Sequence, residues 1–213
     1  MKQGEREMIY EINRVRSNPT SYLQYIEPLL ATARQTLKTY GKGTKNYSLT
    51  FSSSNGIDKK NIDTTWHYMN EENVKALASL VADLKKLKPL SVLQPDSGIY
   101  NAACKHANDQ NAHNWELAHT GTDGSHPWDR ITLYAPSMQF GNENIAGNSW
   151  DTTARGIVIQ LLIDDGIPGY GHRYNLLDPQ WTHAACVWVY YKNNMHWWIQ
   201  NFGVKKKSSS RYK

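Results

Sequence analysis

The sequence predicts an α+β domain, because its hydrophobic spacing changes from a helical period to a strand period along the chain. Up to about residue 163, apolar residues recur every three or four positions, the spacing of one buried helix face. Further on, "HAACVWVYY" and "MHWWIQNF" are β-rich runs separated by the turn signal "KNN", which predicts a hairpin. The chain of 213 residues is long enough for one sizeable core. Together these features favour several helices packed on a small antiparallel sheet.

Each helix follows from a stripe of apolar residues and a capping or breaking residue. In the first helix Met8, Ile12 and Val15 share a face, and Pro19 ends the run. Asp96 or Ser97 caps a later helix. The remaining helices are expected over residues 23–30, 70–84 and 151–163, the capped helix extends to about residue 115, and one further strand is expected near residue 145.

Composition divides the chain into a domain and a tail. Residues 1–204 are predicted to form a single domain, in which the Gly-, Ser- and Asn-rich stretch 40–63 is an insertion or long loop. Within it "SLTF" predicts a short strand, and Asn55-Gly56 is a turn signal. Residues 205–213 are predicted to be a basic, disordered tail.

Charge and hydropathy argue against a nucleic-acid-binding protein and against a membrane-spanning protein. The net charge is +5, and the tail alone carries five cations, so the body is formally neutral and nucleic-acid binding is not predicted. Mean hydropathy is −0.67, and no window approaches the roughly 18 apolar residues of a membrane span. The first residues lack the apolar stretch of a signal peptide, so the protein is either cytosolic or has had an export signal removed.

Cys104 and Cys186 leave the redox state open. Both lie among small apolar residues, as buried free thiols often do, and one bridge between them is the alternative.

Three polar blocks combine glycine with ionisable side chains, as surface loops that hold a site often do. They are "AHTGTDGSHPWDRI" (118–131), "GNENIAG" (141–147) and "IDDGIPGYGHRYNLLDPQWTHAACVW" (163–188). Their histidines and acids are the ligand types that zinc and similar divalent ions prefer, and they also suit acid–base chemistry. There is no HExxH or CxxC motif, so an ordinary structural role for each histidine stays open. His106 and His113, seven positions apart, are interpreted as flanking a buried helix face.

In this order, the blocks resemble the CAP superfamily, which includes cysteine-rich secretory proteins, antigen 5 and plant pathogenesis-related proteins. The motifs that carry the likeness are "HTGTDGSHPWDRI", "GNENIAG", "LLIDDGIPGYGHRYNLLDPQWTHAACVW" and "WWIQNFG". The likeness covers roughly residues 8–203 and is greatest to the bacterial secreted branch. It implies an α-β-α sandwich with a central antiparallel sheet flanked by helices. It also implies a large cleft with a tetrad of two histidines and two acids, which binds zinc in several members.

The resemblance assigns His119, Glu143 and His172 to this tetrad. The second acid is Asp164 or Asp165. Adjacent helical residues point about 100° apart, so only one of the two is expected to face the cleft, and we favour Asp165. Glu143 and Asp165 are then the candidate catalytic acids if the site is an enzyme's, and zinc or another divalent cation is the expected cofactor.

The resemblance also implies an exported protein, outside the cell or in its envelope, whose signal peptide has been removed. The favoured function is a binding module whose cleft, lined by Trp115, Trp128 and Trp150, takes an extracellular lipid, peptide or glycan. One alternative is a metal-dependent, peptidase-like hydrolase in which Glu143 or an aspartate activates a metal-bound water. In the other, the tetrad is purely structural and its charges pair with one another. Ser125 is the nearest candidate nucleophile and is more simply interpreted as part of a turn.

Overall fold

The computed structural model describes residues 1–52, 61–114, 118–191 and 194–207. Its elements are α1 (Gln3–Ser17), a 3-10 helix (Pro19–Tyr22), α2 (Leu23–Tyr40), β1 (Lys45–Ser52), β2 (Asn61–Tyr68), α3 (Met69–Lys86), β3 (Gln94–Pro95), α4 (Ser97–Ala112), α5 (Pro127–Tyr134), β4 (Met138–Asn148), α6 (Ala154–Ile163), a second 3-10 helix (Pro168–Tyr170), α7 (Gly171–Leu177), β5 (His183–Tyr191) and β6 (Met195–Lys205). No helix within the described residues is long and apolar enough to cross a bilayer.

The chain forms two compact units that interleave along the sequence. The first unit comprises Met1–Ser17, Pro89–Val158 and Asn175–Lys213, and the second comprises Asn18–Lys88 and Ile159–Tyr174.

A four-stranded sheet in the order β3-β5-β6-β4 is the centre of the first unit. The predicted hairpin is present as β5 and β6, which pair antiparallel with Cys186 opposite Gln200. Strand β4 contains the predicted strand near residue 145 and pairs antiparallel with the other edge of β6, which places Glu143 opposite Asn201. The very short β3 pairs parallel with β5. The long strands are therefore all antiparallel.

Helix α1 covers one face of this sheet. The thiol of Cys186 donates to the carbonyl oxygen of Glu5 at 3.1 Å, and Nε2 of Gln200 lies 3.1 Å from Sδ of Met8. Because side chains alternate across a strand, the even-numbered residues in the middle of β5 and β6 face α1.

The odd-numbered residues face α4 and α5. Val187, Ile199 and Ile145 form a buried cluster with Ala103 and Ala107 of α4. A second cluster joins α4, α5 and the sheet: Ile99, Ala102, Ile131, Ala135, Met138 and Ala185. Helices thus lie on both faces of a mainly antiparallel sheet, and the predicted α-β-α sandwich is confirmed within the first unit.

The second unit contains the helices α2 and α3. Ile26 and Leu30 are buried on α2, and Leu77, Leu80 and Leu84 are buried on α3, at the helical spacing that predicts them. The two helices contact each other, and strand β2 leads into α3. Residues 159–174, which include the end of α6, complete this unit.

In the stretch predicted as an insertion or long loop, the predicted short strand "SLTF" is present as part of β1. β1 and β2 pair antiparallel from Lys45 opposite Tyr68 to Ser52 opposite Asn61. The second strand was not predicted, and the assignment of this stretch as an insertion stays a prediction. The predicted Asn55-Gly56 turn lies outside the described residues.

Further corrections concern ordered residues beyond the predicted elements. The tail was expected to begin at Lys205, which instead ends β6, and the amide of Lys206 donates to the carbonyl of Ser137 at 2.9 Å. The short helices α5 and α7 were not predicted, because glycine and proline beside them resemble loop signals. Cys104 and Cys186 are free thiols in this structure.

Candidate functional site

A buried carboxylate on β4 organises the polar site of the first unit. Glu143 lies on the sheet face that α4 covers, and its side chain is fully buried. Nη2 of Arg130, on α5, donates to both carboxylate oxygens at 3.1 and 3.3 Å. Arg130 is itself buried, so the ion pair is almost completely removed from water. Such a pair compensates two desolvation penalties only when the remaining donors and acceptors are also satisfied.

His119 contacts the same carboxylate from a more open position. Its Nδ1 lies 3.1 Å from Oε1 of Glu143, while its side chain is 51% exposed. Nη2 of Arg130 also donates to the carbonyl oxygen of His119 at 2.9 Å, so one guanidinium holds both the acid and the backbone of the histidine. A neutral imidazole that donates from Nδ1 carries its lone pair on Nε2. The contact with Glu143 therefore favours the form of His119 that can bind a ligand through Nε2.

Two more side chains complete the surroundings of Glu143. Nε2 of His106 is 2.9 Å from the carbonyl oxygen of Ala118 and 3.6 Å from Oε1 of Glu143. Burial lowers the pKa of His106, although Glu143 opposes that effect, and the ring is held neutral. The amide of Asn201, in the orientation that satisfies both neighbours, donates to Oε2 of Glu143 at 3.1 Å.

Sequence reasoning missed these supporting residues. Arg130 lies inside a quoted polar block, where its buried partner was not evident. His106 was interpreted as flanking a buried face, and it is fully buried beside the site. For Asn201 a signal did exist, since two amides, Gln200 and Asn201, interrupt an otherwise apolar strand. A polar residue predicted to be buried implies a hydrogen-bonding partner.

The second unit holds another histidine–carboxylate pair. Nδ1 of His172 lies 2.7 Å from Oδ1 of Asp164, and the backbone N–H of His172 donates to Oδ2 at 2.9 Å. Asp164 is buried and His172 is partly exposed. Both carboxylate oxygens of Asp164 therefore orient the same histidine.

Of the two candidate acids, Asp164 and not the favoured Asp165 contacts His172. Asp165 is exposed and accepts a hydrogen bond from Nδ2 of Asn73 at 2.9 Å. Asp164 and Asp165 would point about 100° apart only if α6 continued through both acids, but the helix ends at Ile163. Asp164 adopts a left-handed backbone with φ of 55°, which turns the chain back toward His172. Aspartate tolerates this conformation better than most residues.

Arg173, next to His172, secures this turn. Its Nε donates to the carbonyl oxygen of Leu162 at 2.6 Å, and its Nη2 donates to those of Ile163 at 2.9 Å and Ala76 at 3.0 Å. The first two are carbonyls of the last turn of α6, which have no partner within the helix. The guanidinium thus also places a positive charge at the negative end of the helix dipole, close to Asp164.

The model of the Cysteine-rich secretory protein family, CAP, matches residues 10–202. The chain belongs to the CAP family. No curated protein matches this CAP chain.

Two solved structures are similar to it. One is an outer surface protein from Borrelia burgdorferi, with 24% identity, a TM-score of 0.47, and coverage of 64% of this chain and 95% of that one. The other is an extracellular protein with an SCP domain from Bacillus anthracis, with 21% identity and a TM-score of 0.43. That match covers 67% of this chain and 47% of that one, so it spans about half of the Bacillus protein.

The zinc expected from the family can be tested against the donor atoms of this CAP chain. The side chains of Glu143 and Asp164 are buried against Arg130, His119 and His172, so they are less accessible to a metal ion than the partly exposed histidine rings. His119 and His172 fit better, because a metal-binding histidine usually gives its other ring N–H to a carboxylate. Within the described ranges, no three His, Cys, Asp or Glu side chains are grouped to hold a metal ion.

Trp128 and Trp150, two of the three tryptophans expected to line a cleft, differ from each other in their surroundings. Trp128 is half exposed and stacks on His126, with ring centroids 4.5 Å apart, and Trp150 is exposed. Trp115 lies outside the described residues, and the lining of a cleft by these tryptophans stays a prediction. Oγ of Ser125 donates to Asp123 at 2.6 Å within a tight turn, as the simpler interpretation of that serine required.

Proposed function

We propose that this CAP chain is an extracellular or cell-envelope binding module, in which His119 is the group that contacts a ligand or a divalent metal. The family to which it belongs is described as secretory. The observation that carries the proposal is the contact between His119 and Glu143. A fully buried, charge-paired carboxylate holds Nδ1 of a histidine whose ring is half exposed. The ring is therefore oriented on one side and accessible to a ligand on the other.

The chemistry of this pair favours a divalent cation such as zinc. Donation from Nδ1 to a carboxylate fixes the tautomer, orients the ring and makes Nε2 more basic. In the second unit His172 has the same arrangement with Asp164, so we propose it independently as a metal-binding imidazole of that unit. A bound zinc ion would supply a Lewis acid able to polarise a ligand oxygen. In this proposal Glu143 and Asp164 each orient their own histidine and do not bind a metal ion.

The alternative of a hydrolase has less support from the side chains. It needs a carboxylate that can accept a proton from a metal-bound water. Glu143 is buried and accepts from Arg130 and His119, and Asp165 accepts from Asn73. We therefore propose binding, with a lipid, peptide or glycan as the partner class, over catalysis.

Calorimetric titration of the metal-free chain with zinc near neutral pH tests this proposal. We expect saturable binding by the wild type, and a loss of at least about tenfold in affinity for His119→Ala and for His172→Ala. His113→Ala is the matched control, because His113 is the exposed residue that follows α4 and its ring contacts Asp109 of that helix. Glu143→Gln is expected to weaken binding less than His119→Ala, because it removes the orienting acid and keeps the imidazole.

The same variants distinguish the alternatives. If folded wild type binds no zinc, while His119→Ala lowers the thermal unfolding temperature, the pair is structural and the proposal fails. If zinc binds and the loaded protein cleaves a peptide library, the hydrolase replaces the binding module. Thermal unfolding of every variant separates lost binding from lost structure.

A further inference from the structure

The β1–β2 ribbon of the second unit has two chemically different faces. In the register Tyr47 lies opposite Trp66, and Lys45 lies opposite Tyr68. Residues opposite one another in an antiparallel pair share a face, so these four side chains lie on the same side. Ser48, Thr65 and His67 alternate with them and lie on the other side. One face is therefore aromatic and basic, while the other is small and polar.

The polar face is the one that packs against the protein. Oγ of Ser48 donates to the carbonyl oxygen of Gly166. A Cβ atom at Gly166 would lie 3.5 Å from Nε2 of His67, so the ring of His67 packs next to residue 166. Ser48, Thr65 and His67 enclose a cavity of about 110 Å³ with residues 166–170 and the side chains of α3. The ribbon is thus held in place by its polar side.

The aromatic face is the one exposed to solvent. Trp66 is 60% exposed and Tyr47 is 51% exposed, and their ring centroids lie 5.3 Å apart. Nζ of Lys45 lies 5.0 Å from the Trp66 ring centre, and Nζ of Lys42 lies 5.4 Å from that of Tyr68. A ribbon with one covered face normally buries its apolar side. The inverted arrangement leaves a contiguous aromatic surface in water, a feature typical of interaction sites.

We propose that this aromatic face, formed by Lys45, Tyr47, Trp66 and Tyr68, binds the surface of an anionic lipid bilayer. Tryptophan and tyrosine are the residues that concentrate at the headgroup level of membranes, since their rings are apolar and their tips polar. Lys45 places positive charge beside the rings, where anionic headgroups would lie, and its stem can follow apolar surface. The charge of Lys42 is instead paired with Glu71 at 3.0 Å. The described side chains of this face include no carboxylate and no amide, which are the groups that sugar hydroxyls need as partners.

This face is separate from the His119 and His172 pairs and does not depend on the function proposed for them. The proposal does not require the β1–β2 ribbon to enter the hydrocarbon core of the bilayer, because the ribbon would contact only the headgroup layer. The charged chain end, including Lys205 and Lys206, is a second source of attraction to anionic lipid. Any test must therefore keep that end constant.

Flotation of the full chain with lipid vesicles tests the proposal. Vesicles of phosphatidylcholine alone are compared with equimolar phosphatidylcholine and phosphatidylglycerol. We expect the wild type to bind the anionic vesicles, and Tyr47→Ser/Trp66→Ser to lose about tenfold or more of the partition coefficient. Tyr10→Ser, at a 63% exposed tyrosine of α1, is the matched control and should bind as the wild type does.

Charge is tested in the same assay. Lys45→Gln should lower partitioning to anionic vesicles about fivefold, whereas Lys86→Gln, an exposed lysine of α3, should leave it nearly unchanged. Equal binding by the wild type and Tyr47→Ser/Trp66→Ser would overturn the proposal and assign the attraction to the basic chain end. The proposal would also be overturned if the wild type bound no vesicles but bound an insoluble polysaccharide, and if Tyr47→Ser/Trp66→Ser lost that polysaccharide binding. Equal unfolding temperatures confirm that these exposed substitutions leave the fold intact.

Discussion

Glu143 shows how one residue can decide the local structure of the first unit. Its negative charge is removed from water, and the guanidinium of Arg130 lies against both of its oxygens. Removing one member of a buried ion pair costs far more than the pair itself contributes, because the other charge stays buried without a partner.

We therefore expect Glu143→Gln to lower the free energy of unfolding by about 3 kcal/mol. Glu27→Gln is the matched control, because the ion pair of Glu27 with Lys85 is half exposed, and such pairs contribute between about 0 and 1 kcal/mol. Urea denaturation of both variants measures the difference. Similar losses for the two would contradict the special role of the buried pair.

His106 makes the same region sensitive to pH. Its Nδ1 has no hydrogen-bond partner among the described residues, and its Nε2 is engaged with a carbonyl oxygen. Protonation would thus bury a charged N–H without an acceptor, and burial lowers the pKa of this histidine below its ordinary value. Below about pH 6.5 the unfolded chain takes up a proton that the folded chain does not.

Stability should consequently fall as the pH drops below about 6.5, by at most about 1.4 kcal/mol per pH unit from this residue. His106→Gln should flatten the dependence of the unfolding free energy on pH between about 5 and 6.5. His113→Gln, at the exposed residue that follows the same helix, should leave the wild-type slope unchanged. A His106→Gln slope equal to that of the wild type would refute this account.

At the scale of elements, the connection from α6 to α7 depends on backbone conformation more than on packing. Asp164, Gly166, Gly169 and Tyr170 all have left-handed φ angles, between 52° and 77°. For a residue with a Cβ atom this region costs about 1 kcal/mol or more. The contacts of Asp164 and Arg173 described above offset that cost and fix the direction in which α7 begins.

Two glycines of this connection provide a controlled comparison. Gly169 has φ of 77°, and Gly171 is the first residue of α7 with φ of −58°. Apart from their chain neighbours, no atom of the described residues lies within 4 Å of a Cβ added at either glycine. Gly169→Ala should therefore destabilise by about 1 kcal/mol, through backbone strain alone. Gly171→Ala should be neutral or stabilise by up to about 1 kcal/mol. Thermal unfolding measures both, and equal shifts in one direction would contradict the conformational explanation.

The connection from α6 to α7 also shows why the sequence could not identify the acid that contacts His172: the position at which α6 ends could not be predicted. The polar block and His172 could be identified, because glycine, proline and ionisable residues cluster there. The choice between Asp164 and Asp165 depended on the residue at which α6 ends, and a shift of one position reverses the choice. Helix ends are decided by capping contacts such as those of Arg173, which come from outside the periodic pattern.

At the scale of the whole molecule, periodicity predicted most of the core. The helical stripes on α1, α2 and α3 and the hairpin of β5 and β6 lie where the spacing placed them. What the spacing could not supply were contacts between distant segments. Arg130 and Asn201 reach Glu143 only because α5 and two strands come together in the fold. Those contacts determine the geometry around His119.

The coverage of β6 on both edges and both faces has a consequence for how this protein can evolve. The strand pairs with β5 on one side and β4 on the other, while α1 and α4 take its alternate residues. One inserted or deleted residue would exchange the two faces along the rest of the strand, presenting Gln200 and Asn201 to the wrong helices. Lineages can thus vary β6 by substituting residues of similar size, and changes in length must accumulate outside residues 195–205.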